Sequence, residues 1–271
     1  MQPYTKTDQQ LHWLSQVIAK ANRTFVPKEE DDSHTNLYYD SLGNRITGRW
    51  IASDHKSVLF TLNLFNQHFE VLDSALKVSF SIRTIDRKLS EVEEEIEKLL
   101  PLIGLSSEGF LVEMHFNIPE YGFREKPIQV IKKEGLEGWK HYRQLANEAC
   151  NLLLGHTQLS SEIRIWPHHF DTGIYVEMNE KIGMGFGLAM EDNMVGAPYL
   201  YMTGYSNNES IIYENLPEGD HWYWELNDNW QGAVLPIDKL EKEPEAEEKK
   251  IINYFILDAL EWFASISPTR Y

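Results

Sequence analysis

The strongest constraint on the fold is a series of strand-like segments that follow one another without helices between them. These segments cover residues 46–52, 58–65, 68–73 and 76–83. In the last one apolar and polar side chains alternate strictly, which predicts a strand with one buried and one solvated face. Because the connections are too short for crossover helices, the sequence predicts an antiparallel meander and an α+β fold.

Helices are predicted before and after this meander in the sequence. Thr7 and Gln10 have capping-box spacing, as do Ser90 and Glu93, and each pair precedes apolar residues at helical spacing. A further strand is predicted over residues 110–116. The sequence therefore predicts antiparallel sheets with helices packed on one face.

The second part of the chain repeats this plan. Residues 118–135 combine glycine, proline and charged residues without periodicity, so we expect a connecting segment there. It separates an N-terminal α+β half (1–117) from a C-terminal half (136–271), which suggests two similar helix–strands–helix halves. In the second half we expect helices over 137–154 and after a charged linker at 238–249, and strands near 162–166, 172–178, 183–190, 198–203, 221–226 and 231–235.

The segment WPHHFD, from Trp166 to Asp171, is the main candidate site. Pro167 should end a strand, because its ring fixes φ and its nitrogen carries no hydrogen. In extended backbone His168 and His169 point to opposite faces, whereas His169 and Asp171 share one. Either the imidazoles ligate a metal, or they cap a turn with Asp171 fixing a tautomer.

Two other segments could complete this site. Residues 31–36 (DDSHTN) include His34, and His221 precedes Trp222 in a segment rich in large aromatic residues. We expect the 31–36 loop to meet the 167–171 turn, because their polar side chains can satisfy one another. The alternatives are an Asx or Ser/Thr turn at 31–36 and a core strand at 221–224. The candidate metal ligands are His168, His169, Asp171 and His221.

The glycine run at 183–187 and the tyrosines that follow it predict a strand and a pocket wall. The run lacks phosphate-loop spacing and is typical of a strand that another element approaches closely. Tyr199 and Tyr201 belong to an aromatic-rich stretch that suits the walls of a pocket for a sugar-like or otherwise polar ligand. The alternative is that these rings are core residues.

The charge and the cysteine content exclude several classes of protein. The chain has 25 basic and 42 acidic residues and a net charge of −17, which disfavours nucleic acid and anionic membranes as partners. No export signal or apolar run of about 18 residues is evident, so we expect a cytoplasmic protein. Its one cysteine, Cys150, excludes an intramolecular disulfide and a cysteine-based zinc site. No established catalytic motif is present, so the sequence leaves open whether the protein is an enzyme.

Several segments, in this order, resemble a family of bacterial proteins whose activity is uncharacterised. They share the patterns DSHTN, WPHHFD, APYxY and WxGAVLP, and the likeness spans nearly the whole chain. The resemblance implies a common architecture and one shared site, without implying an activity, a substrate or a metal. At residues 189–193 this chain has AMEDN where the family pattern has serine, proline, glycine and an acidic residue, so no role is carried over to that loop.

The sequence as a whole favours a pocket that binds a small polar ligand. A metal-dependent hydrolase with a divalent ion, in which Asp171 or Glu177 activates a water, is one alternative. A non-catalytic scaffold or interaction protein is another. The predicted ligand-binding residues are His34, Trp166, His168, His169, Asp171, Tyr199, Tyr201, His221 and Trp222.

Overall fold

The structure, a computed structural model, describes residues 1–54, 56–206 and 210–266. It contains four α-helices and two antiparallel sheets, with 35% helix and 25% strand, so the predicted α+β class is confirmed. Two compact units are present: the first comprises residues 2–141 and 164–170, and the second Met1, residues 142–163 and residues from 171 onward. The predicted halves, with limits at 117 and 136, stay a prediction, and residues 207–209 and 267–271 of the second lie outside the described residues.

The first unit is built on an antiparallel meander in which each strand pairs with the next along the chain. Helix α1 (Gln2–Phe25) packs on β2 and β3 through the apolar face that the sequence predicts. The strands are β1 (Tyr38–Asp40), β2 (Arg45–Ala52), β3 (Ser57–Asn63), β4 (His68–Asp73) and β5 (Val78–Arg83).

Two predicted helix starts differ from the structure. Helix α1 already begins at Gln2, and the Thr7 hydroxyl donates to the Pro3 carbonyl (2.9 Å) within the helix, so Thr7 is no cap. Helix α2 (Leu89–Leu99) begins just before Ser90, and the Lys88 N–H donates to the Glu91 carboxylate (2.9 Å). Both differences arise because polar residues can satisfy helix-end groups at several neighbouring positions.

The predicted strand at 110–116 is wrong. These residues belong to a segment without regular structure between a 3₁₀ turn (Leu100–Ile103) and helix α3 (Lys133–Thr157). The Arg23 guanidinium in α1 donates to the carbonyls of Gly109, Phe110, Val112 and Glu113 at 2.8–3.3 Å. These carbonyls are therefore not available to pair with a neighbouring strand. Among the apolar side chains of residues 110–116, only Phe110 is fully buried, so the segment also lacks the buried face of a strand.

A short strand completes the first unit. Strand β6 (Arg164–Ile165) pairs with Leu37: the two residues exchange backbone hydrogen bonds of 2.9 and 2.7 Å between Leu37 and Ile165. This antiparallel bridge brings the segment that follows the 31–36 loop beside the strand that enters the 167–170 turn. The predicted meeting of loop and turn therefore has a backbone basis.

The second unit contains an antiparallel sheet with a helix on one face. Helix α4 (Glu245–Ser265) covers that face, where the rings of Phe186 and Phe255 are 6.4 Å apart. Its strands lie in the order β10-β11-β9-β8-β7. They are β7 (Thr172–Glu177), β8 (Ile182–Ala189), β9 (Tyr199–Ser206), β10 (Tyr223–Leu226) and β11 (Gln231–Pro236).

Among the described residues, no helix is both long enough and apolar enough to cross a bilayer.

Candidate functional site

The predicted ligand-binding residues divide between the two units. His34, Trp166, His168 and His169 belong to the first unit. The second unit contains Asp171, Tyr199, Tyr201, His221 and Trp222.

The turn after Trp166 in the first unit is tight, and the buried side chain of Phe170 anchors it. The Phe170 N–H donates to the Trp166 carbonyl (2.6 Å), and Phe170 has a φ of +60°, which is rare for a bulky residue. Its ring is fully buried and stacks on His12, with centroids 5.0 Å apart and planes within 9°. The left-handed conformation costs about 1–2 kcal/mol, whereas burial of a phenylalanine ring contributes about 1.5–3 kcal/mol. Burial of the ring therefore offsets the strain.

Helix α1 holds the carbonyl group of Pro167. His12 Nε2 and Gln16 Nε2 lie 2.9 and 2.8 Å from this oxygen, so both act as donors. His12 Nδ1 is then the acceptor for the Tyr121 hydroxyl at 2.9 Å. Burial raises the pKa of Tyr121 to about 12, so the phenol keeps the proton that it donates. The sequence reasoning missed His12, although its position one turn before Gln16 on a buried helix face was a signal.

His168 and His169 extend from this turn toward solvent. Both side chains are exposed, and their ring centroids are 4.4 Å apart. The ring of Phe116 lies 5.6 Å from that of His168. Next to Phe116, His115 Nε2 is 3.0 Å from the Oδ2 atom of Asp32. Three imidazoles and one carboxylate therefore share one exposed surface, which we call the histidine surface: Asp32, His115, His168 and His169.

The environment favours the neutral form of the two histidines in the turn. Partial burial lowers the pKa of His168 to about 4, with His169 and His115 acting in the same direction and Asp32 opposing them. Burial also lowers the pKa of His169. At neutral pH both rings are uncharged, so each can accept a hydrogen bond or a proton at one nitrogen.

The other two predicted residues of the first unit are His34 and Trp166. His34 is buried, and its Nδ1 accepts a hydrogen bond of 3.3 Å from the backbone N–H of Glu29. The residue of the 31–36 loop that acts on His168 is Asp32, as described above. Trp166 is partly buried, with the Arg164 guanidinium 5.7 Å from its ring.

In the second unit, Asp171 lies among tyrosines on the sheet face that is opposite α4. Asp171 accepts a hydrogen bond from the Tyr201 hydroxyl, and the Tyr199 hydroxyl donates to Asp192 at 2.8 Å. Burial, followed by these carboxylates, raises the pKa of Tyr199 and of Tyr201 well above the ordinary value. Both phenols therefore stay protonated and act as donors. This part of the predicted site is brought together by the fold.

The glycine run in β8 makes room for further tyrosine rings on this face. A Cβ atom at Gly183 would collide with the Tyr175 ring, and one at Gly185 would lie 3.1 Å from the Tyr205 ring. The two rings are 5.8 Å apart and lie over the glycines. The close approach that the sequence predicts is therefore made by tyrosines of β7 and β9.

Trp222 is not part of this tyrosine face. It is 6% exposed and packs toward α4, with its ring 5.6 Å from Phe255 and 6.2 Å from Trp224. This is the core alternative that the sequence left open. His221, one residue earlier, is only partly buried.

No metal cluster is present in the part of the chain that the structure describes: no three or more His, Cys, Asp or Glu side chains are arranged to hold an ion. Metal ligation by His168, His169, Asp171 and His221 stays a prediction, as does the hydrolase built on it. The neutral imidazoles and protonated phenols can also act as hydrogen-bonding groups.

A cleft opens where β9 ends beside the turn between β10 and β11. Its volume is about 610 Å³, within the range of about 300–1,000 Å³ that is usual for ligand pockets. The sequence predicts an aromatic pocket wall in this part of the chain, through Tyr199 and Tyr201, but it does not identify the turn between β10 and β11 as part of a cleft. The lining residues are Thr203, Gly204, Tyr205, Ser206, Ser210, Ile211, Tyr213 and 227–231.

No family model, curated protein or solved structure matches this chain. The resemblance to the bacterial family with the WPHHFD pattern stays a prediction, and function has to be argued from the geometry of each unit.

Proposed function

We propose that the protein binds a small polar organic ligand of the sugar type in the cleft of the second unit. The observation that carries this proposal is the lining, in which aromatic rings face a turn rich in amide and carboxylate side chains. Sugar-like molecules present apolar C–H faces and hydroxyl groups together, so their binding sites combine rings with a few polar groups.

The aromatic part of the cleft is held in place before a ligand arrives. Tyr205 is 51% exposed, and its ring is supported by Tyr175. Trp230 is partly buried and meets the buried Tyr201 edge to face, with centroids 6.5 Å apart. Because the rings are already positioned, stacking a ligand on them costs little side-chain entropy.

The polar part of the cleft lies on the turn between β10 and β11. Asn227 shapes this turn, because its Oδ1 accepts the backbone N–H groups of Asn229 and Trp230, both at 2.9 Å. The hydroxyls of Thr203 and Tyr213 donate to the backbone carbonyl of Gln231, at 2.7 and 3.2 Å. Side chains of Asp228, Asn229 and Gln231 are exposed and can pair with ligand hydroxyls.

The first prediction concerns binding by the full chain. We expect at least one of glucose, galactose, mannose, N-acetylglucosamine and their β-linked disaccharides to bind saturably in ligand-observed NMR and calorimetry. Tyr205→Ala and Asn229→Ala should each weaken that binding at least about tenfold, which corresponds to about 1.4 kcal/mol. The reason is the loss of a stacking ring in one variant and of a hydrogen-bonding amide in the other.

Matched controls distinguish the cleft from general surface effects. Tyr254→Ala removes a tyrosine that is 60% exposed on α4, and Asn151→Ala removes an exposed asparagine of α3. Both should bind as the unchanged protein does. The proposal is wrong if no sugar binds, or if the controls lose as much affinity as the cleft variants, and a scaffold role would then be favoured.

A further inference from the structure

A second cleft lies within the first unit, between α1, α2 and the irregular segment that follows α2. Its volume is about 350 Å³. We infer that this cleft binds a small zwitterion of the amino-acid type with an apolar side chain. The side chains that carry the inference are Trp13, Lys20, Glu93, Glu113, Phe116 and Arg124.

One ion pair of the cleft is largely removed from water. Lys20 Nζ is 2.9 Å from a carboxylate oxygen of Glu93, and the two side chains are only 7% and 12% exposed. Burial raises the pKa of Glu93, and the charge of Lys20 opposes that shift. Removing either charge would leave the other one buried without a partner, which is costly. The Lys20–Glu93 pair therefore places a fixed dipole in the cleft.

The carboxylate of Glu113 is close to two cations of the cleft but forms no hydrogen bond with either. The Glu113 carboxylate is 3.7 Å from Lys20 Nζ and 3.7 Å from Arg124 Nη2, both beyond hydrogen-bond distance. Arg124 makes its close contact, 3.0 Å, with Glu120 instead. Glu113 is 76% exposed, so a ligand can reach its carboxylate.

An ammonium and a carboxylate on one carbon match this arrangement. The ligand ammonium would donate to Glu113, and the ligand carboxylate would accept from the planar guanidinium of Arg124. Both contacts are charge-assisted hydrogen bonds, which are shorter and stronger than the 3.7 Å ion pairs that they replace. The zwitterion therefore improves two contacts without changing the net charge of the cleft.

The rest of the lining selects the side chain of the ligand and disfavours a lone anion. The partly buried rings of Trp13 and Phe116 line the cleft together with Leu89 and Ile118, which suits an apolar group. The lining carboxylates outnumber the lining cations, since Glu120 and Glu125 join the two glutamates already named. A free carboxylic acid is therefore repelled, and the simple amine is the main competitor.

The test compares complete and truncated ligands on the full chain by calorimetry. L-leucine and L-phenylalanine are each compared with the amine that lacks the carboxylate (3-methylbutylamine, 2-phenylethylamine). They are also compared with the acid that lacks the ammonium (4-methylpentanoate, 3-phenylpropanoate). We expect at least one amino acid to bind at least about tenfold more tightly than both of its analogues, because each analogue loses one charge-assisted contact.

A matched pair of variants locates the binding. Glu113→Gln should weaken binding of the amino acid at least about tenfold, whereas Glu94→Gln, the same charge change at an exposed position of α2 outside the cleft, should change it less than about twofold. Glu113 is exposed, so its variant should fold, which a thermal melt checks. Three results would each overturn the inference: neither amino acid binds, an amine binds as tightly as its amino acid, or the two variants behave alike.

Discussion

At the scale of single residues, the 166–170 turn shows how packing controls the state of an exposed side chain. Phe170 holds the turn by its buried ring, and His12 and Gln16 hold the Pro167 carbonyl. His168 and His169 are thereby kept side by side. Burial, followed by the neighbouring His169, disfavours protonation of His168, and burial disfavours protonation of His169.

This arrangement predicts a pH dependence of stability. The pKa of His168 is about 4 in the folded protein, against an ordinary value of 6.5. Between these values the unfolded chain binds a proton that the folded chain does not, so the free energy of unfolding falls as the pH is lowered through this window. Because the ring is exposed and solvent screens it, we expect His168 to contribute about 1 kcal/mol between pH 7.5 and pH 4.5.

Urea unfolding at pH 7.5, 5.5 and 4.5 measures this contribution. His168→Asn should lose less stability on acidification than the unchanged protein, whereas His221→Asn, in the second unit, should follow the unchanged protein. The raised pKa of Glu93 acts in the opposite direction, but it is common to all three proteins and cancels. Equal pH dependence in all three would contradict the role of His168.

At the scale of elements, the segment between the 3₁₀ turn and α3 depends on side chains rather than on a sheet. The Arg23 guanidinium bonds carbonyls at four positions between residues 109 and 113, and Tyr121 bonds His12. A long segment without secondary structure often serves a functional site, and this one forms a wall of the second cleft.

We therefore expect Arg23→Ala to destabilise the first unit by about 2 kcal/mol, since several charge-assisted hydrogen bonds are lost from a partly exposed site. Arg23→Lys should recover less than half, because one ammonium cannot reach all four carbonyls. Urea unfolding gives the energies, and limited chymotrypsin digestion near Phe110 and Phe116 reports loosening of the segment. Arg83→Ala is the control, because the Arg83 side chain forms an exposed ion pair with Asp86, and such pairs contribute little to stability.

At the scale of the whole molecule, charge repulsion is the dominant long-range effect. The net charge is −17, and most of the ion pairs in the described residues involve exposed side chains. Exposed pairs contribute little, about 0–1 kcal/mol each, whereas the excess of acidic residues repels itself throughout the fold.

Salt should therefore stabilise this protein. Raising sodium chloride from about 20 to 300 mM should raise the melting temperature of each transition by about 2–4 °C, because screening weakens the net repulsion more than it weakens exposed pairs. Choline chloride at equal ionic strength should act alike, since screening does not depend on the cation. A melting temperature that falls with salt would show that the exposed ion pairs dominate instead.

The sequence by itself determined the fold class and most of the elements. The strict alternation at 76–83 predicted a strand, and β5 begins at Val78, which is 48% exposed. Leu76 lies in the turn before this strand, with a φ of +59° and 64% exposure, so the alternating pattern extends two residues beyond the strand itself. Periodicity is a local property of the chain, so it can be read without knowing what packs against it. It also identified the aromatic strand that ends at the larger cleft.

Only the tertiary structure decided which groups meet. His12 and Pro167 are 155 positions apart in sequence, yet they share a hydrogen bond of 2.9 Å. Asp171 lies among the tyrosines, whereas Trp222 packs into the core on the other face of the sheet. Where the sequence predicted a strand, the chain instead forms an irregular segment whose carbonyls are bonded by Arg23. These outcomes depend on hydrogen bonds and packing contacts between residues that are far apart in sequence. Local sequence patterns do not identify such partners.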